Sequence, residues 1–162
     1  AGGCPGLMRV TICAVGRLRT GPEKLLLDDY LMRFDRTGRA LGLGPASVVE
    51  VDDRKGGGRT AEGMLLARAV PDDAALCVLD ERGERPDSPQ FAAWLAGWRD
   101  AGRGAAFVIG GADGVDPPLR ARADRALSFG PMVWPHMLAR VMLAEQLYRA
   151  AAILAGMPYH RA

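Results

Sequence analysis

The stretch Ala126–Arg149, ALSFGPMVWPHMLARVMLAEQLYR, joins a short strand to the longest helix through a loop bounded by Pro131 and Pro135. Each proline fixes its own φ and removes one backbone donor, so residues 130–134 belong to neither neighbouring element and form a stiff, exposed connection. Such a loop can present backbone groups to a ligand. Pro135 suits the first turn of the helix that follows, and His136, Arg140, Leu143 and Leu147 fall along one side of it at helical spacing.

Working outward from that stretch, four more strands precede the one it contains. Arg9–Val15, Ala46–Val51, Ala75–Leu79 and Ala105–Ile109 are apolar or β-branched runs that end at glycine or acidic residues, and Ala126–Phe129 is the fifth. Between them the 3.6-residue pattern predicts helices over Pro22–Phe34, Ala61–Ala69, Ser88–Ala101 and Leu119–Asp124. Regular alternation of this kind makes an α/β fold, a mostly parallel sheet flanked by helices. Ligands of such sheets sit outside the carboxyl ends of the strands. Three of those ends share one character: Leu79-Asp80, Gly110-Gly111 and Phe129 to Trp134.

At 162 residues the chain is long enough for one well-buried domain. We expect a single domain over residues 8–162, with residues 1–7, AGGCPGL, as a remnant of upstream or cloning sequence. A 49% hydrophobic and 25% charged composition excludes a disordered or fibrous chain, and no apolar run approaches membrane-spanning length. The expected location is therefore cytoplasmic, with no membrane partner. Cys4, Cys13 and Cys77 form no C-x-x-C pair, which speaks against a disulfide framework and against a zinc site, and no metal is expected. Net charge is only +2, yet all but Lys24 and Lys55 of the positive side chains are arginine, the better fork for phosphate. Two of these arginines stand in the basic turn Gly16–Thr20, GRLRT.

Known nucleotide fingerprints are missing. The glycines of DDRKGGGRT do not have phosphate-loop spacing, and IGGADG lacks the G-x-G-x-x-G of a dinucleotide fold, which disfavours a nucleotide-binding oxidoreductase. We expect the DDRKGGGRT loop to be mobile. The chain ends in Pro158-Tyr159-His160-Arg161, an unusual concentration of stacking, titratable and cationic groups for a terminus. Tyr159 can stack on a base, Arg161 can hold a phosphate and His160 can move a proton.

Taken together, Leu79-Asp80, FVIGGADG, ALSFGPMVWPHMLARVMLAEQLYRA and PYHR resemble the RlmH family of SPOUT-class RNA methyltransferases, in the same order from Met8 to Arg161. The resemblance implies a C-terminal trefoil knot, one of the exceptions to the rule against threading. It also implies a homodimer that binds S-adenosylmethionine in the knot and methylates N3 of a pseudouridine in large-subunit (23S) ribosomal RNA, within the ribosome. Carried over by motif, the cofactor contacts would be Leu79, Gly110, Phe129, Gly130, Pro131, Met132, Val133 and Trp134. The apolar breadth of the last helix would supply the dimer interface. Because N3 of a uracil-type ring must lose a proton before it attacks, a base or a charge that stabilises the anion is needed. The candidates are His160 as acceptor and Arg140 or Arg161 as cations, with Tyr159 engaging the nucleotide. The alternative is a non-catalytic RNA-binding or ribosome-associated protein that keeps the knot.

Overall fold

The computed structural model describes residues 8–52, 57–111 and 114–161. Residues 1–7, most of the DDRKGGGRT loop before Gly57, and Ala112-Asp113 of the IGGADG turn lie outside the described residues, so the expectations placed there are not addressed. The element order is β1 (Met8–Val15), α1 (Pro22–Gly38), a 3-10 turn (Arg39–Leu41), β2 (Leu43–Val51), α2 (Gly58–Ala69), β3 (Ala75–Glu84), α3 (Ser88–Asp100), β4 (Ala105–Ile109), α4 (Pro117–Arg122), β5 (Arg125–Leu127) and α5 (His136–Leu154).

The five strands form one sheet in the order β2-β1-β4-β3-β5, and every pairing is parallel. Alternation of side chains along each strand divides the core into two layers. In β1, Val10, Ile12 and Ala14 face one layer while Cys13 and Val15 face the other; in β4, Phe107 and Ile109 oppose Ala106 and Val108. The larger layer holds Leu27, Leu31 and Phe34 of α1, Phe91 and Leu95 of α3, and Leu143 and Leu147 of α5. The smaller holds Leu66 of α2 and Leu119 of α4. Cys13 and Cys77 are fully buried, and burial pushes their thiols up to about 11 and about 12, so they behave as small apolar residues.

Element boundaries differ from the sequence expectation where tertiary pairing extends them. Helix α1 runs on to Gly38, and a Cβ at that glycine would meet the Leu43 carbonyl at 2.7 Å, so only glycine lets α1 lie this close to β2. Strand β3, expected to end at Leu79, continues to Glu84, shifting register and pairing Glu84 with Leu127. Gly83 is what permits this, because a Cβ there would lie 2.6 Å from the Ala126 carbonyl. As a result β5 stops at Leu127, and Ser128-Phe129 already belong to the loop. Helix α3 starts where expected and carries a full capping box: Asp87 accepts from the Gln90 backbone, and the Gln90 side chain accepts from the Asp87 backbone.

Helix α5 packs against both α1 and α3. Its buried positions, among them Ala139, Leu143, Ala144, Leu147, Tyr148 and Ala151, extend well beyond one narrow stripe. Two partners inside the same chain thus cover much of the apolar breadth from which the sequence reading expected a dimer interface, while Leu138 stays exposed. No helix of the described residues is long and apolar enough to cross a membrane.

Candidate functional site

Parallel register brings the three strand ends together. Val78 is level with Val108, and Leu79 with Leu127, so Leu79, Ile109 and Leu127 stand near one another at this rim, where β4 and β5 end and β3 runs on. They floor a cleft of about 560 Å³, within the range of small-molecule sites. Of the residues expected to hold a cofactor, Leu79, Gly110, Phe129, Gly130, Met132, Val133 and Trp134 line this cleft, whereas Pro131 does not. The sequence reading missed Arg59, Arg120 and His136 as liners.

The two key glycines do different work. A Cβ on Gly110 would meet the Gly114 carbonyl at 2.4 Å, so Gly110 is needed for closure of the turn behind the cleft. A larger residue here would strike protein backbone before it could reach a cofactor. Gly130 has φ +99° and nothing within 4 Å of a built Cβ, so it leaves open space that a side chain would fill. Gly130 N donates to Ser128 Oγ at 3.0 Å and Trp134 Nε1 donates to the Phe129 carbonyl at 3.4 Å. Residues 129–134 make no backbone-to-backbone hydrogen bond among the described residues; apart from the Phe129 carbonyl and the Gly130 amide and carbonyl, which side chains engage, their backbone groups can meet a ligand. A cleft that mixes apolar side chains, charged side chains and such backbone groups can take the flat, polar-edged purine of a nucleoside cofactor.

Asp80 is the main charged feature of the cleft. Its Oδ2 accepts from Arg120 Nη1 at 2.9 Å, and its Oδ1 accepts from the Arg82 backbone at 2.9 Å. Among the described residues no group of three or more His, Cys, Asp or Glu is arranged to hold a metal ion.

The tail lies elsewhere. Tyr159 donates to Glu145 Oε1 at 3.0 Å, its ring lies 4.6 Å from that of Tyr148, and the Arg149 guanidinium sits 4.7 Å from its centre. Burial, followed by the neighbouring Glu145 carboxylate, raises the Tyr159 phenol above its ordinary pKa. Arg149 Nη1 lies 3.2 Å from His160 Nδ1. A guanidinium only donates, so Nδ1 accepts and the ring proton of neutral His160 resides on Nε2. His160 and Arg161 line a second cavity of about 800 Å³ together with Tyr30, Met142, Glu145 and Phe129. Leu127 and Phe129 line both spaces and form their common wall.

Arg140 joins neither. It is completely buried, with Nη1 donating to Glu50 Oε2 at 2.6 Å and Nη2 donating to the carbonyls of Val15 at 2.8 Å and Gly16 at 2.7 Å. The expectation that Arg140 faces the reacting base is therefore corrected: its charge is spent on the exits of β1 and β2. Helical spacing put it near His136, but the side chain follows the packing of α5 against the sheet.

An all-parallel sheet with a backbone-lined cleft at its carboxyl rim is the architecture of a class of methyltransferases, and the family model described as predicted SPOUT methyltransferase matches residues 8–160. TrmJ from Zymomonas mobilis ZM4 has a similar fold, with a TM-score of 0.51 at 16% identity over 88% of this chain and 69% of that one. The ribosomal RNA large subunit methyltransferase H of Dinoroseobacter shibae is 74% identical, covering 95% of this chain and 99% of its own length. That of Ruegeria pomeroyi is 72% identical with the same coverage. The chain belongs to this RlmH family of SPOUT methyltransferases.

Proposed function

We propose that this chain methylates N3 of a pseudouridine in large-subunit ribosomal RNA, with S-adenosylmethionine as donor. The observation that carries this reading is the cleft where three parallel strands meet the glycine- and proline-bounded loop Phe129 to Trp134, in a chain 74% identical to a ribosomal RNA large subunit methyltransferase. Leu79, Phe129, Gly130, Met132, Val133 and Trp134 would hold the cofactor, with Gly110 shaping the turn behind it. When bound, the cofactor supplies an electrophilic methyl group on a sulfonium. The protein's part is to orient the target ring, exclude water and accept or stabilise the N3 proton's charge.

Tyr159, His160 and Arg161 are the residues assigned to that part. Tyr159 anchors the tail through Glu145, leaving His160 and Arg161 to face the substrate. For His160 to accept the N3 proton, Nδ1 must first leave Arg149, because in the docked arrangement its lone pair is already engaged. The wall formed by Leu127 and Phe129 separates the tail from the cleft of its own chain, which favours a tail acting in the partner subunit's site. A homodimer fits this, and the half-exposed apolar residues Leu26 and Tyr30 beside Met142 offer a face for the second copy. We place the reaction in the cytoplasm, on the ribosome. Nucleoside mass spectrometry of ribosomal RNA from cells with and without the protein tests the reading. Loss of one N3-methylated pseudouridine from the large subunit is expected, and unchanged nucleosides would overturn it.

A further inference from the structure

The turn between β1 and α1, Gly16–Gly21, stands on the same rim of the sheet as the cleft. Ala14 is level with Ile109 in the parallel pairing of β1 with β4, so the turn leaves β1 at the same rim of the sheet where β4 passes into Gly110. Arg17 and Arg19 on this turn are exposed, and neither has an ion pair or hydrogen bond with any described residue. Two unpaired guanidiniums on the rim of the sheet that carries the cleft are free to take phosphate oxygens.

What distinguishes this turn from an ordinary basic loop is the way it is held. Glu50 Oε2 accepts from the Leu18 backbone at 2.7 Å and from Arg140 at 2.6 Å, and the Leu18 side chain packs on the main core. Arg140 in turn grips the carbonyls of Val15 and Gly16 from below, at no exposure to solvent. Burying a guanidinium costs several kcal/mol before pairing, and here Nε stays without a partner. An apolar side chain would pack α5 on the sheet without that cost. The arginine adds a fixed position for the carbonyls and carboxylate that set the direction of the turn.

We propose that Arg17 and Arg19 form a rigid arm that grips two phosphates of the RNA strand entering the cleft. In this arrangement Arg140 and Glu50 are positioning residues that hold the arm. The inference rests on the proposed RNA methylation and deepens it by assigning a phosphate-binding site.

The test uses the full chain and large-subunit RNA from cells lacking the protein. In the R17A/R19A double variant, KM for RNA should rise at least tenfold, with a smaller change in kcat. The slope of log affinity against log salt should become shallower by about 1.4, the value for two phosphates of a single strand. Affinity for S-adenosylmethionine, read by calorimetry, should not move, and R17K/R19K should recover much of the salt slope. Glu50→Gln keeps the volume but weakens the clamp, so KM should rise several-fold while cofactor affinity shows that the fold is intact. Wild-type KM and salt slope in the double variant would overturn the arm alone. A wild-type protein that does not bind large-subunit RNA would overturn both the arm and the proposed function.

Discussion

The cleft at the strand ends and the cavity beside the tail share Leu127 and Phe129, yet they are built from opposite materials. The cleft is shaped by backbone: Gly110 closes against Gly114, Gly130 leaves open space, and the loop from Phe129 to Trp134 makes no backbone-to-backbone hydrogen bond among the described residues. The tail cavity is shaped by side chains, with Glu145 at the centre of a network that joins Arg149, Tyr159 and, through Arg149, His160. Backbone geometry is insensitive to pH and intolerant of a new Cβ. A network of ionisable groups has the reverse sensitivities, which suits the first region to holding a cofactor and the second to handling a proton.

Removing the tail tests the division most severely. Deletion of Tyr159–Ala162 should lower single-turnover methyl transfer by about 100-fold or more, the usual contribution of a positioned acid or base. Calorimetric affinity for S-adenosylmethionine should stay near wild type, since no tail residue lines the cleft. A matching loss of cofactor affinity would break the comparison.

The paired glycines sharpen the other side. Gly130→Val should weaken cofactor binding by about tenfold or more, because a β-branched residue cannot hold φ +99° without strain and the loop that lines the cleft must shift. Gly110→Ala should act through the fold, costing about 1–3 kcal/mol of stability in denaturant unfolding as its Cβ meets the Gly114 carbonyl. Equal effects of the two substitutions on cofactor affinity and stability would remove the distinction drawn between them.

A smaller effect is expected at Asp80, which pairs with Arg120 within the cleft. Asp80→Ala releases Arg120 from its partner at 2.9 Å, and cofactor affinity measured by titration should change by a factor of about 5 or less. A larger change would mean that charge, as well as backbone, defines the cleft.

The smallest effect is a dependence on pH at the tail. The raised pKa of Tyr159 means that the folded protein holds the phenolic proton more tightly than the unfolded chain does. The stability gained is therefore complete below about pH 10, the ordinary tyrosine value, and is lost as pH rises above it. Tyr159→Phe should cost about 1 kcal/mol at neutral pH, and its unfolding free energy should fall less steeply above pH 10 than that of the wild type.

Much of the fold was legible because its signals are local. Alternation of apolar strands with 3.6-periodic helices revealed the parallel sheet, and Pro131 and Pro135 marked the loop as separate from its neighbours. The extension of β3 past Asp80 was not legible, since it depends on Gly83 passing close to Ala126. The breadth of α5 was read as an interface, while α1 and α3 of the same chain cover much of it. Nothing in a single helical pattern says which neighbour will occupy an apolar face.

The sequence by itself determined the family, the order of elements and most of the cleft residues, because motifs at strand ends and around prolines act through backbone conformation that neighbouring residues dictate. Only the tertiary structure decided where the long side chains go. Arg140 and His136 are one helical turn apart, yet His136 lines the cleft while Arg140 is buried against the carbonyls of β1. His160 looks like a free base in the sequence, but its lone pair is taken by Arg149. A charged side chain spans several ångströms with many rotamers, and its partner is chosen by residues far away in the chain that packing alone brings within reach.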